Sequence, residues 1–276
     1  MMDSPQRKEA VILIGAGRMG GALLAGWVAS GRFSAIHAVE PNPSAAVKAL
    51  ARGKKIVLSK RLPYPMPKVS AVVLALKPQI LKQESALLAE IGKQRAAVVS
   101  IAAGVTTSFL SAAIAAPVPV IRAMPNTPGA IGKGITALYA SESVKPSTRR
   151  LAGMLMSALG ETLWLKNESL MDAVTAVSGS GPAYVFLLAE TIAAAAREQG
   201  LDEATAERLA RATVSGSGAL LASVTRPASE LRKEVTSPGG TTEAALKVLM
   251  AENGLSRLMG RAIAAAAKRG KELGKA

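Results

Sequence analysis

Hydroxyl side chains and glycines cluster near the C-terminal end of this chain, over residues 235–243. The segment reads Val-Thr-Ser-Pro-Gly-Gly-Thr-Thr-Glu and directly precedes an apolar stretch with helical spacing, Ala244 to Met250. Glycines let the backbone approach a ligand closely. Exposed N–H groups at a helix start, joined by hydroxyls, attract an anion such as a carboxylate. The segment is therefore predicted to bind a small carboxylate.

A second glycine-rich segment, Gly15-Ala16-Gly17-Arg18-Met19-Gly20, follows an apolar run and opens a helical pattern. In this context it predicts a pyrophosphate site: Gly15 permits a tight turn, Gly17 lets the pyrophosphate approach the backbone, and Gly20 allows close helix–strand contact. The alternative is that the glycines serve only the turn. A pyrophosphate site and a small-carboxylate site in one chain together indicate a reductase.

Glu40 ends the next apolar run, about 20 residues onward, where dinucleotide-binding folds place an acidic residue that binds the ribose hydroxyls. A carboxylate at this position repels a 2′-phosphate, so NADH is weakly favoured over NADPH. Arg18 and Lys48 could still accommodate the phosphate, and both cofactors therefore remain open.

Small and polar residues follow three further predicted strands, at the edge where open α/β sheets bind ligands. The small residues leave room for a nicotinamide ring. Pro78 also suits the first turn of a helix for structural reasons alone, and Asn126 and Thr127 either bond to the ring or cap the turn. The candidate cofactor-binding residues at these ends are Ala75, Lys77, Pro78, Ala102, Ala103 and Asn126.

The elements that must position these residues follow from hydrophobic periodicity. Strands are predicted over 10–14, 35–39, 55–58, 71–76, 97–101, 118–124 and 135–139. Helices are predicted over 20–30, 44–52, 79–92, 106–113, 181–199, 203–224, 242–253 and 255–273. Strands alternating with helices imply βαβ units and a parallel sheet. The fold class is therefore α/β up to residue 166, followed by an all-α domain over 167–276.

Composition agrees with this division. The 276 residues suffice for one large or two moderate domains, and the chain contains no cysteine, which excludes disulfides and thiol chemistry. No apolar stretch reaches the roughly 18 residues of a membrane span. The N-terminus, Met1 to Glu9, is polar and lacks the apolar core of a signal peptide. We expect a cytoplasmic protein with no membrane partner and no metal site.

The formal net charge of +15 raises the question of nucleic-acid binding. The basic residues are scattered, no basic run is interleaved with aromatic residues, and no nucleic-acid-binding motif is present. We therefore expect no nucleic-acid partner, and interpret the charge as a basic solvated surface that also attracts phosphorylated cofactors.

These segments, in this order, resemble the pyrroline-5-carboxylate reductase family, which completes proline biosynthesis, over about Val11 to Leu273. The specific matches are the stretches 172–184 (DAVTAVSGSGPAY) and 235–242 (VTSPGGTT). The resemblance implies an N-terminal Rossmann-type dinucleotide-binding domain, a helical dimerisation domain, a homodimer or higher homo-oligomer, and an active site that borrows from the partner subunit. It also implies that the substrate is held by Glu168, Ser237, Gly240, Thr241 and Thr242.

The sequence departs from the family pattern at two positions. Arg18 stands where a small polar residue is frequent, and Glu40 replaces the small or basic residues of relatives that prefer NADPH. Both departures bear on cofactor choice and leave the reaction itself unchanged.

The chemistry that these residues allow fits an imine better than a ketone. Dehydrogenases acting on alcohols commonly use a His, Lys or Tyr as general acid or base. The single histidine, His37, belongs to the second predicted strand, and the helix that begins at Gly181 contains no lysine in its first turns. A cyclic imine is basic enough to arrive protonated, so positioning and one hydroxyl on its nitrogen suffice. Thr242 is the candidate catalytic residue.

Three functions compete at this point. The first is reduction of 1-pyrroline-5-carboxylate to L-proline with NADH or NADPH. The second is reduction of another cyclic imino acid or a hydroxy acid by the same fold. The third is a non-catalytic dinucleotide-binding regulator, which the intact segment 237–242 disfavours because a degenerate relative would be free to lose it.

Overall fold

A computed structural model describes residues 8–275, so Met1–Arg7 of the polar N-terminal stretch and Ala276 lie outside the description. Eight strands form one sheet in the order β3-β2-β1-β4-β5-β6-β7-β8. Their bounds are β1 Glu9–Ile14, β2 Phe33–Val39, β3 Val57–Ser59, β4 Ala71–Leu74, β5 Ala97–Ser100, β6 Val120–Met124, β7 Gly134–Ala140 and β8 Gly160–Trp164.

The first six strands pair in parallel, as predicted, and their order reverses between β1 and β4. β7 is antiparallel to β6, which contradicts a fully parallel sheet. The reason is the connection: a 3-10 turn, Thr127–Ile131, joins β6 to β7 and is too short for a parallel crossover. β8 pairs in parallel with β7 and was not predicted, because it is short and mostly exposed.

Twelve α-helices accompany the sheet within the described residues. They are α1 Arg18–Ser30, α2 Ala45–Arg52, α3 Pro78–Gln83, α4 Ser85–Gly92, α5 Thr107–Ile114, α6 Pro146–Met156, α7 Met171–Val174, α8 Gly181–Glu198, α9 Glu203–Ser223, α10 Ala228–Glu234, α11 Thr241–Leu249 and α12 Leu255–Lys275. The helix predicted over 79–92 is broken at Glu84 into α3 and α4, and α6, α7 and α10 were not predicted.

Apolar layers cover both faces of the sheet. On one face, Leu23, Leu24 and Trp27 of α1 belong to the same buried cluster as Val11 and Leu13 of β1. On the other face, the cluster joins strand residues to helical residues of α3, α4 and α5, among them Ile12, Val72, Leu81, Ile91 and Leu110. Burial on both faces explains why the parallel strands are nearly continuous runs of Val, Ile, Leu and Ala.

The chain forms two compact units. The sheet unit contains the chain up to Gly179 together with the residues from Ala267 onward, and the helical unit contains Ser180–Ala266. The expected division at 166/167 lies earlier than this one. Residues 167–179, which lie between the expected and the observed division, belong to the sheet unit. Met171 and Ala176 are fully buried, and Gly179 lies against the side chain of Met124. No described helix has the length and apolar character to span a bilayer.

Candidate functional site

The glycine-rich turn between β1 and α1 has the shape of a dinucleotide site. Gly15 has φ of +93°, which favours glycine, and a Cβ there would lie 2.7 Å from the carbonyl oxygen of Ala75. A Cβ at Gly20 would overlap the carbonyl oxygen of Gly15, whereas one at Gly17 would meet nothing within 4 Å. No side chain in the described part of the chain caps the start of α1. Its N–H groups and the open space at Gly17 fit a pyrophosphate.

Glu40 follows β2 and turns its carboxylate toward this turn. One oxygen accepts a hydrogen bond from the N–H of Ala16 at 2.7 Å, and the other accepts from the N–H of Asn42 at 2.9 Å. The structure therefore places Glu40 beside the glycine turn, as predicted from its position after the second strand. The nearby cations Arg18 and Lys48 are exposed.

The ends of β4 and β5 lie on the same edge of the sheet. Ala75 donates its N–H to the carbonyl oxygen of Ile14 at 2.8 Å, so it borders the glycine turn directly. Lys77 is exposed at the start of α3, with Pro78 at its first turn. Beyond β5, Ala102 is buried and Ala103 half-buried, in the loop that leads to α5.

Asn126 follows β6 and holds a turn. Its side-chain oxygen accepts a hydrogen bond from the N–H of Ile135 at 2.9 Å, which ties the 3-10 turn to the start of β7. Two roles were expected for Asn126, a bond to the nicotinamide ring or stabilisation of the turn. The hydrogen bond of its side-chain oxygen supports the second. His37 lies inside β2 and faces partners in β1 and β3. Burial lowers the pKa of its imidazole, which agrees with a structural role.

The hydroxyl-rich segment lies in the helical unit, at the start of α11. Gly240 precedes the helix, and no side chain among the described residues caps its first turn. Ser237 and Thr241 are exposed and Thr242 is half-buried. The N–H of Gly240 bonds to the carbonyl oxygen of Ser237 at 3.1 Å, and a Cβ at Gly240 would lie 2.6 Å from the Ser237 hydroxyl. The turn thus brings the predicted hydroxyls to one helix start.

Glu243 shapes this turn and was missed in the sequence. Its carboxylate accepts a hydrogen bond from the N–H of Gly239 at 2.9 Å, and Lys247 lies 3.7 Å from the same oxygen. Gly239 has φ of +70°, a conformation that favours glycine. The sequence contained a signal for this contact, because a Glu in the first turn of a helix that lacks a hydroxyl cap can accept a hydrogen bond from the preceding backbone.

Both carboxylate oxygens of Glu168 have hydrogen-bond partners within the protein. One of its oxygens accepts from the N–H of Thr107 at 2.8 Å, and the other accepts from the Thr107 hydroxyl at 2.6 Å. The guanidinium of Arg122 lies 3.3 Å from the first oxygen. Sequence reasoning overlooked both partners, although an arginine inside the buried strand β6 was a visible signal.

Comparison with known proteins gives a family match for each half of the chain. The family model for pyrroline-5-carboxylate reductase dimerisation matches residues 168–273, and a model for coenzyme F420-dependent NADP oxidoreductases matches residues 10–104. The chain is 42% identical to a pyrroline-5-carboxylate reductase of Pseudomonas aeruginosa over 265 residues, which covers 95% of this chain and 96% of that protein.

Solved structures give the same result. A pyrroline-5-carboxylate reductase from Coxiella burnetii superposes with a TM-score of 0.88 at 35% identity and covers 98% of this chain and 100% of that one. A pyrroline carboxylate reductase from Plasmodium falciparum, solved with NADP bound, shares the fold with a TM-score of 0.79 at 24% identity, over 96% and 98% of the two chains. With this identity over nearly its full length, the chain belongs to the pyrroline-5-carboxylate reductase family.

Proposed function

We propose that this chain reduces 1-pyrroline-5-carboxylate to L-proline with a nicotinamide dinucleotide. The observation that carries the proposal is the start of α11, where Ser237, Thr241 and Thr242 lie at a helix start whose N-cap residue, Gly240, offers no side-chain cap. Such a site fits a small carboxylate beside a group that accepts or donates one hydrogen bond. A substrate with a carboxylate next to a ring nitrogen has both features.

The residues of the segment 237–242 bind different groups of the substrate. Ser237, Gly240 and Thr241 hold the substrate carboxylate, and the hydroxyl of Thr242 bonds to the ring nitrogen. The bound dinucleotide supplies the hydride, which adds to the carbon of the C=N bond. Because the imine arrives protonated, the nitrogen becomes the amine of proline without a proton from a strong protein acid. Positioning of the two reactants is then the main contribution of the protein.

The cofactor is held in the sheet unit by the glycine turn and the neighbouring strand ends. The turn that holds the pyrophosphate consists of Gly15, Ala16, Gly17, Arg18, Met19 and Gly20. The rest of the site is lined by Ala75, Lys77, Pro78, Ala102, Ala103 and Asn126. Gly17 supports this assignment, because its open side leaves space for a phosphate against the backbone.

We further propose that NADH is preferred over NADPH because of Glu40. The two backbone hydrogen bonds of its carboxylate keep the negative charge beside the glycine turn. A 2′-phosphate nearby meets like charge, whereas ribose hydroxyls can donate to the carboxylate. Glu40→Ser is expected to narrow or reverse the ratio of kcat/KM for NADH to that for NADPH. A wild-type protein that strongly prefers NADPH contradicts this role of Glu40.

The proposed reaction is tested by following NADH and NADPH oxidation separately with 1-pyrroline-5-carboxylate and with its six-membered homologue. We expect turnover with the five-membered imine. One ring methylene is worth about 1–3 kcal/mol in a pocket, so activity with the homologue is expected to be lower without being abolished. Oxidation of a hydroxy acid with NAD+ or NADP+, together with no turnover of either imine, would refute the proposal.

A further inference from the structure

Arg122 is a charged residue inside the sheet. It lies in β6 with 5% of its surface exposed, and its guanidinium lies 3.3 Å from a Glu168 oxygen and 3.9 Å from an Asp172 oxygen. A buried charge is costly unless it is paired and hydrogen-bonded. The two carboxylates offset the cost of burying Arg122, and the arginine in turn holds Glu168 in place.

Glu168 connects this pair to the start of α5. Its carboxylate accepts from both the N–H and the hydroxyl of Thr107, the first residue of that helix. A negative charge at a helix start is stabilised by the helix dipole and by the unpaired N–H groups there. Arg122, Glu168 and Thr107 therefore form a polar brace that joins β6, the start of α5 and the segment before α7.

The brace holds one end of the loop 101–106, which connects β5 to α5 and contains Ala102 and Ala103. The middle of the same loop packs against the C-terminal helix: a Cβ at Gly104 would lie 3.4 Å from the N atom of Gly274 in α12. One turn earlier in α12, a Cβ at Gly270 would lie 3.5 Å from Asp172, the second partner of Arg122. The loop is thus supported from two sides within the sheet unit.

We propose that Arg122 and Glu168 are positioning residues, which act through Thr107 to fix the loop 101–106 where the nicotinamide end of the dinucleotide binds. Glu168 then contributes to catalysis without touching the substrate. The inference rests on the proposed function for the identity of the reaction. The loop follows β5, at the edge where open α/β sheets bind ligands. The brace itself is a property of the protein without ligands.

The ligand-free protein provides the first test. Glu168→Gln removes the charge and keeps the size of the side chain, and we expect the amide N–H of Thr107 to exchange with deuterium about tenfold faster or more. Exchange in the glycine turn 15–20 should not change. Glu90→Gln is the matched control, because Glu90 pairs with Lys93 on the surface of the same unit. Unchanged exchange at Thr107 would overturn the brace.

Kinetics distinguish positioning from substrate contact. A displacement of about 1 Å at reacting groups can cost about 100-fold in rate, so Glu168→Gln is expected to lower kcat about 10- to 100-fold. The KM for 1-pyrroline-5-carboxylate and the Kd of the dinucleotide, measured by fluorescence titration, should stay within about threefold of wild type. A raised KM with unchanged kcat would instead make Glu168 a substrate ligand and refute the proposal.

Thr107 gives an independent pair of variants if Glu168→Gln does not fold. Thr107→Ser keeps the hydroxyl and is expected to behave as wild type, whereas Thr107→Val loses it and should lower kcat and accelerate exchange in the loop. Equal kcat and equal exchange in the two variants would contradict the proposal. A wild-type protein that does not reduce 1-pyrroline-5-carboxylate would refute the proposed function, while the exchange measurements would still decide whether the brace exists.

Discussion

At the residue scale, three glutamates share one arrangement, in which the carboxylate accepts a hydrogen bond from a backbone N–H. Glu40 accepts from the N–H of Ala16, Glu168 from that of Thr107, and Glu243 from that of Gly239. Each carboxylate lies beside a turn or helix start, where backbone N–H groups lack a partner inside the helix. These side chains shape the loops on which the candidate ligands depend, and Glu40 and Glu243 also add negative charge near the two proposed anion sites.

Thr242 and Ser237 are expected to differ in their kinetic effects. Thr242→Ala should lower kcat more than it weakens cofactor binding, because in the proposed reaction its hydroxyl bonds to the nitrogen whose charge changes during hydride addition. Ser237→Ala should mainly raise the KM for the imine, because its proposed role is only to hold the carboxylate. One hydrogen bond to a charged group is worth about 1.5–3 kcal/mol.

Steady-state kinetics with 1-pyrroline-5-carboxylate measure both effects. Ser223→Ala is a suitable control, since Ser223 is exposed in α9 and donates to the carbonyl oxygen of Leu220. Wild-type kinetics in both the Thr242 and the Ser237 variants would show that the segment 237–242 does not bind the substrate.

Thr136 provides a prediction about stability. Its side chain is buried in β7, and its hydroxyl has no hydrogen-bond partner among the described residues. Leaving a buried hydroxyl unpaired costs about 1–3 kcal/mol. Thr136→Val is therefore expected to raise Tm by about 2–4 °C for each kcal/mol recovered.

Thermal unfolding at one protein concentration measures this difference. Thr162 pairs with Thr136 in the register of β7 and β8 but is exposed, so Thr162→Val is the matched control and should change Tm little. A lower Tm for Thr136→Val would mean that the hydroxyl has a partner, such as a buried water.

At the scale of elements, the start of α11 depends on Glu243. Glu243→Ala removes the hydrogen bond from the N–H of Gly239 in the turn before the helix, and one hydrogen bond to a charged group is worth about 1.5–3 kcal/mol. We expect this variant to raise the KM for the imine several-fold. Glu243→Gln keeps an acceptor for the same N–H and removes a negative charge near the substrate carboxylate, so its KM should equal or fall below that of wild type. A higher KM for Glu243→Gln than for Glu243→Ala would contradict this role.

At the scale of the whole molecule, the helical unit does not bury a core of its own. Its buried apolar residues, as far as the chain is described, are the alanines Ala193, Ala206 and Ala210. Four consecutive apolar residues of α8, Val185–Leu188, are exposed, with Phe186 at 67%. An apolar surface of this kind marks an interface. We therefore expect a homo-oligomer in which the helical units of different subunits cover each other.

Light scattering at micromolar concentration tests the assembly. We expect a dimer or a larger homo-oligomer for the wild type, and dissociation or unfolding for Phe186→Asp. Tyr64→Asp is the control, because Tyr64 is an exposed aromatic residue of the sheet unit, at 89%. A fully active monomer would contradict an obligate dimer.

The sequence alone predicted the elements and turns that depend on neighbouring residues. The alternation of apolar runs and helical patterns placed β1, β2, β4 and β5, and the glycine turn and the start of α11 were recognisable from residue types at short spacing. Glu40 was expected at the end of the second strand, about 20 residues after the glycine turn, and it follows β2 there. Motifs of this kind are local, so one chain contains all the information that they need.

The tertiary structure decided which distant groups meet. Thr107 and Glu168 are 61 residues apart, and their bond exists because β6, α5 and the segment before α7 converge. The direction of β7, the pairing of β8 and the commitment of the Asn126 oxygen to a turn also depend on partners outside the local sequence. The residue type determines which hydrogen bonds a side chain can form. Only the packed chain determines which partner lies within reach, because burial leaves each polar group few neighbours.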